Sequence, residues 1–265
     1  MISSYAYLLV FHGSRDSRTQ IAADKLKQLL MAKCQPKDIL AQHNYLKTNL
    51  SNFDLKSATT SNLIKSPAIE LAALELSSKS LSNSLTDFAR SVRQQGIEQI
   101  KVIPLFLAPG VHVVEDIPAE IALAIKQLNF QVSIKLSTYL GKYSGMIPLL
   151  KHKFSELPAS TRIIVAHGSR ASATSDYYQE LADKLDADIA YWSTTPKFTQ
   201  AIEQKIASGS QKIAILPYFL FPGKITAAIA REIALLSQKY PQIELILGQP
   251  LGATADLAEL IFQEA

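Results

Sequence analysis

The chain has 265 residues, enough for one large α/β domain or two small ones, and 48% apolar with 19% charged residues is ample for buried cores. No apolar run reaches the ~18 to 20 residues that span a bilayer, and the start Met-Ile-Ser-Ser-Tyr lacks a basic signal region, so a cytoplasmic protein with no membrane partner is expected. A net charge of +4 suits an anionic ligand such as a polycarboxylate, whereas no Lys/Arg run interleaves with aromatics as a nucleic-acid stripe would, so no nucleic-acid partner is expected.

The first apolar run, Tyr5 to Phe11, reads as a buried strand, and His12-Gly13-Ser14-Arg15 follows it before a helix near Ser17. The lone cysteine, Cys34, sits at the end of that helix. It rules out an intrachain disulfide, a cysteine zinc site and a four-cysteine iron–sulfur cluster within one chain. From about Gln35 to Ser66 the chain is rich in Ser, Thr, Asn and Lys and reads as a polar surface insertion carrying His43. A second strand is expected at Ile69 to Leu76, ending in Ala73-Leu-Glu-Leu76, and a third at Ile100 to Leu107. The third leads into Gly110-Val-His-Val-Val-Glu-Asp-Ile-Pro118, where Asp116 and Pro118 read as helix-start signals, Asp116 as a cap, and Glu115 faces either a crevice or solvent. A fourth strand is expected at Gln131 to Thr138, and Pro158 interrupts the helical pattern that follows.

Beyond a boundary near Leu157 to Ser160 the rhythm repeats, with strands expected at Thr161 to Ala166, Ala187 to Ser193, Lys212 to Phe219 and Glu244 to Leu247. Leu8-Leu-Val-Phe-His-Gly-Ser-Arg15 returns as Ile163-Ile-Val-Ala-His-Gly-Ser-Arg170, and Ile103-Pro-Leu-Phe-Leu-Ala-Pro-Gly110 as Leu216-Pro-Tyr-Phe-Leu-Phe-Pro-Gly223. The expectation is an α/β protein of two tandem lobes, residues 1–157 and 158–265, each a small parallel four-stranded sheet flanked by helices.

In a parallel sheet the loops at the carboxyl ends of the strands converge on one edge. His12, Glu75 and His112 each stand at such an end in the first lobe. Two imidazoles can hold Co²⁺, Fe²⁺ or Ni²⁺, and a carboxylate can ligate the ion or accept protons. Plainer readings stay open: His12 can cap or fill a turn, and His112 can be an ordinary loop residue. Glu75 is harder to dismiss, because an unpaired carboxylate at the end of an apolar strand is costly if buried. Arg15 and Arg18 can draw in carboxylates or stand solvated, while Gly13, Ser14 and Gly110 allow close backbone approach to a ligand.

Taken in order, the His-Gly-Ser-Arg, Leu-Glu-Leu and Pro-Leu-Phe-Leu-Ala-Pro-Gly-Val-His-Val-Val-Glu-Asp-Ile-Pro segments resemble the sirohydrochlorin chelatases, class II chelatases that need no nucleotide. The resemblance implies insertion of cobalt or ferrous iron into sirohydrochlorin for cobalamin or sirohaem synthesis, in a cleft between two chelatase-like lobes. It implies His12 and His112 as the active-site histidines and Glu75 as the acidic residue, with no tightly bound cofactor. The divalent metal (Co²⁺, Fe²⁺ or Ni²⁺) and the tetrapyrrole are the substrates. Aligning the repeats puts Trp192 where Glu75 stands and Ile225 where His112 stands, so the second lobe, which keeps His167, is expected to be a silent wall of the cleft. The duplication implies a monomer with pseudo-two-fold symmetry. Two alternatives remain at this level: a histidine-dependent phosphatase, although Phe11 fills the place where those enzymes carry Arg, and a carrier that binds tetrapyrrole or metal without catalysis.

Overall fold

The structure, a computed structural model, describes residues 5–34, 68–129, 132–169 and 172–264; the polar insertion near 35–66, His43 and Arg170 lie outside them. The first half contains β1 (Tyr5–Phe11), α1 (Ser17–Lys33), β2 (Ile69–Ala73), α2 (Leu81–Gln94), β3 (Gln99–Pro104), a π turn (His112–Asp116), α3 (Ile117–Gln127), β4 (Ser133–Leu136) and α4 (Met146–Ser155). The second continues with β5 (Thr161–Ala166), α5 (Ser172–Lys184), β6 (Asp188–Tyr191), α6 (Phe198–Ala207), β7 (Lys212–Pro217), α7 (Lys224–Lys239), β8 (Glu244–Leu247) and α8 (Ala255–Glu264).

Two four-stranded sheets result, ordered β2-β1-β3-β4 and β6-β5-β7-β8, with every pairing parallel. The two expected sheets are present in the expected form. Strands β1 and β3 are central, so both their faces are covered, and their continuous apolar runs bury Leu8, Leu9, Val10, Val102 and Ile103 almost completely. The edge strand β4 reads Ser-Ile-Lys-Leu and stays largely exposed, which explains why it is shorter than its apolar pattern implied.

Three apolar clusters hold these layers together. One lies on the outer face of the first sheet beneath α2 and α3, and another on the outer face of the second sheet beneath α6 and α7. The largest lies between the sheets and draws on both halves: Leu9, Phe11 and Leu26 share it with Ile164, Tyr178, Leu216 and Leu257. Helix α8 packs on α1, and α4 packs on β7 and α8, so the last helix of each half touches elements of the other half. Glu264 of α8 caps α4, accepting from Ser144 Oγ at 2.8 Å and Gly145 N at 3.1 Å. A tyrosine relay adds a polar tie between the halves: Tyr177 OH donates to Gly141 O at 2.9 Å, and Tyr218 OH donates to Leu107 O at 3.0 Å.

Cys34 ends α1 with its thiol pKa pushed up by burial, the state of an unreactive thiol. Among the described residues no helix is long and apolar enough to cross a membrane.

Candidate metal centre

The strand order dictates where a ligand can enter. From β1 the chain moves to β2 on one side, then crosses back over β1 to β3 and on to β4, so the connections diverge between β1 and β3. A crevice opens at the carboxyl ends of strands at such a switch point. His12 follows β1 and the π turn carrying His112 follows β3, so both imidazoles come from the loops that flank this point.

Glu75 arrives from β2. Just past the end of β2, Leu74 N donates to Phe11 O at 2.8 Å and Glu75 N to His12 O at 2.9 Å, two backbone bonds that pin Glu75 beside His12. Its carboxylate lies 3.8 Å from His12 Nε2 and 3.9 Å from His112 Nδ1. The two rings meet edge to face with centroids 4.9 Å apart. One ligand atom from each of the three residues falls within 4.8 Å of the others, and no other such trio of His, Cys, Asp or Glu exists among the described residues. Phe106 stands 6.5 Å from the His12 ring and 6.0 Å from that of His112, an apolar wall behind both that the sequence reading missed.

The supporting residues divide. At Gly13 a β-carbon would stand 2.0 Å from Glu75 O, and φ is +92°, so this position accepts glycine only. Gly110 is different: a β-carbon there meets nothing within 4 Å, so the protein itself does not require a glycine. Ser14 Oγ accepts from Asp16 N at 3.0 Å, shaping the turn into α1. Arg15 is exposed. Arg18 belongs to the first turn of α1 rather than to the His12 loop, and its guanidinium grips Asp16 at 2.6 Å, which holds the Asp16 carboxyl down at about 2. Asp16 is also the N-cap of α1, accepting from Arg18 N, so His12 has no capping role.

Three readings from sequence need correction. Glu75 is not buried; its side chain is 48% exposed, because β2 ends at Ala73 and the carboxylate stands clear of the sheet. Asp116 is not a cap: its backbone is helical, it makes no capping bond, and the π turn runs straight into α3. Instead its Oδ2 lies 2.7 Å from His112 Nδ1. In the second half the residue equivalent to Glu75 is Ser193, not Trp192, since Phe11 pairs with Ala73 as Ala166 pairs with Tyr191. Ser193 N donates to His167 O at 2.8 Å, as Glu75 N does to His12 O. Ile225 keeps its place opposite His112, given that Val10 and Pro104 pair as Val165 and Pro217 do.

Two parallel α/β lobes, with two imidazoles and a carboxylate converging at the carboxyl edge of one, define a duplicated α/β protein carrying a candidate site for a metal ion. The CbiX family profile matches residues 6–157 and again 161–265. The chain belongs to the CbiX family, and the resemblance read from its motifs holds.

Among its relatives, the sirohydrochlorin cobaltochelatase of Priestia megaterium is 28% identical over 187 residues, which cover 64% of this chain and 61% of that protein, less than two thirds of its length. The sirohydrochlorin ferrochelatase of the same organism is 24% identical over 208 residues, 74% of this chain and 76% of the other. Among solved structures, SirB from Bacillus subtilis with Fe³⁺ superposes with a TM-score of 0.70 over 98% of this chain and 93% of that one, at 20% identity, a likeness of fold.

Proposed function

We propose that this chain inserts a divalent metal ion, cobalt or ferrous iron, into sirohydrochlorin without a nucleotide. The observation that carries this reading is the trio His12, Glu75 and His112, whose ligand atoms lie within 4.8 Å of one another. Donors bound at about 2.1 Å to one ion stand about 3.4 Å apart in a tetrahedral arrangement, so the trio closes by about an ångström around the ion through small side-chain rotations.

His12 and His112 hold the ion through imidazole nitrogen and Glu75 through a carboxylate oxygen. Phe106 gives the site an apolar side against both rings. As the ion passes into the macrocycle two pyrrole N–H protons must leave, and Glu75, freed from the metal, takes one while an imidazole takes the other. The metal and the ring are substrates, and nothing else is consumed. Arg15 meets the carboxylates at the edge of the ring, and the open space beside Gly110 leaves its backbone accessible to substrate.

Residues 1–157 form the active lobe and 158–265 a silent one in this reading. Loss of carboxylate and second imidazole at Ser193 and Ile225 supports that division. Matching strand orders, and contacts across the seam from both repeats, with the Thr174 hydroxyl donating to Pro109 O at 2.6 Å and Thr19 lying near Gly223, support a monomer with pseudo-two-fold symmetry.

The test is anaerobic absorbance of sirohydrochlorin with Co²⁺, Fe²⁺ or Ni²⁺, comparing the protein with its His12→Ala variant. Insertion well above the spontaneous rate, lost in the variant, is the expected result. A rate equal to the spontaneous one with every metal overturns the proposal.

A further inference from the structure

Each imidazole of the trio is tied at one nitrogen to a group that can only accept a hydrogen bond. His12 Nδ1 lies 3.2 Å from Gly13 O, and His112 Nδ1 lies 2.7 Å from Asp116 Oδ2. A backbone carbonyl and a carboxylate oxygen act as acceptors, so both contacts favour N–H at Nδ1, and in the neutral ring that tautomer carries its lone pair on Nε2. For His12 that nitrogen is the one 3.8 Å from Glu75. For His112 the nitrogen nearest Glu75 is Nδ1 itself, at 3.9 Å, beyond hydrogen-bond reach. Its proton thus belongs to Asp116.

Resting on the metal-insertion reading, we infer that Asp116 is a positioning residue for His112: it holds the Nδ1 proton, fixes the ring, and presents Nε2 alone to the metal. The helical turn supplies the geometry: side chains four residues apart share a face, and the turn, in which Ile117 N donates to His112 O, continues into α3. Of the other acidic groups nearby, Glu115 is exposed and Glu120 accepts from Ser82 N at 2.7 Å, so neither competes for His112 in this structure. A carboxylate–histidine–metal relay of this kind orients the ligand and strengthens it as a donor.

The experiment uses ¹⁵N-histidine-labelled full-length protein and Zn²⁺ as a diamagnetic probe, with Asp116→Ala and the isosteric Asp116→Asn. In the metal-free wild type the His112 ring is expected in a single tautomer with the proton on Nδ1, and Zn²⁺ is expected on Nε2. Asp116→Ala should mix the tautomers and weaken Zn²⁺ binding by about 10- to 100-fold. Asp116→Asn, which keeps an acceptor oxygen, should fall between and serves alone if the alanine variant fails to fold. Zn²⁺ on Nδ1 of His112, or a single Nδ1–H tautomer and unchanged affinity without the carboxylate, overturns the inference. The metal-free tautomer decides the role of Asp116 even if the wild type proves inactive in insertion, so the two proposals fail separately.

Discussion

A β-carbon on Gly13 would come within 2.0 Å of the carbonyl oxygen of Glu75, so the loop after β1 and the loop after β2 touch backbone to backbone. Gly13→Ala cannot keep this contact. The left-handed φ alone costs about 1 to 3 kcal/mol, and the clash must also push Glu75 away from His12. The expected outcome is a lower urea midpoint together with loss of Zn²⁺ binding, read on the same sample by calorimetry. Retention of wild-type affinity would detach Gly13 from the site.

Glu75→Gln separates chemistry from folding. The side chain is half exposed and caps nothing, so stability should change by no more than about 0.5 kcal/mol. Insertion should fall by about 100-fold or more, because the amide neither binds the ion as an anion nor accepts a proton. Stopped-flow absorbance beside a thermal melt checks both halves of the statement.

Restoring the missing groups should restore a centre. With Ser193→Glu and Ile225→His introduced together, His167 gains the partners that His12 has, and a second equivalent of Co²⁺ should bind. Affinity there should be weaker than at the native trio, since Ile229 occupies the place corresponding to Asp116 and offers no acceptor. Equilibrium dialysis counts the ions. Placing Glu at position 192 instead should give no second ion.

Alkaline pH should loosen the contact between the halves. Burial pushes Tyr178 up to about 12 and also raises Tyr177 and Tyr218 above the ordinary phenol value. A phenol in the unfolded chain titrates near ~10, so the folded state binds more protons than the unfolded one above that pH. The contribution is complete below about pH 10 and is lost as pH rises through about 12. Melting temperatures at stepped pH, with phenolate absorbance recorded alongside, should show the drop only in that window. Tyr218→Phe, which also leaves Leu107 O without its donor, should lower stability by about 1 to 3 kcal/mol at neutral pH.

Much of this was legible in the sequence because parallel strands advertise themselves. The runs at Tyr5–Phe11, Thr161–Ala166 and Glu244–Leu247 are observed with the expected ends, and repetition of His-Gly-Ser-Arg made the duplication visible. Strand ends slipped where apolar residues run on past the ladder: β2 stops at Ala73 although Leu74 and Leu76 continue the pattern, which is why Glu75 looked buried. The role of Asp116 was hidden for a different reason. Asp followed by Ile-Pro is an ordinary helix start, whereas the helical turn already begins at His112, which sets the Asp116 carboxylate one turn on from the ring and on its face. Trp192 was mistaken for the partner of Glu75 because one-residue register is set by backbone pairing rather than by composition.

The exchange of last helices has a mechanical outcome. With α8 seated on α1, Glu264 capping α4, and an ion pair joining Lys33 to Glu259, prising the lobes apart would strip the largest apolar cluster among the described residues. Opening the molecule at that seam would expose this buried surface, so in the proposed reaction turnover should track the stiffness of the short segments at the strand tips and change little when the helical midlayer is braced further.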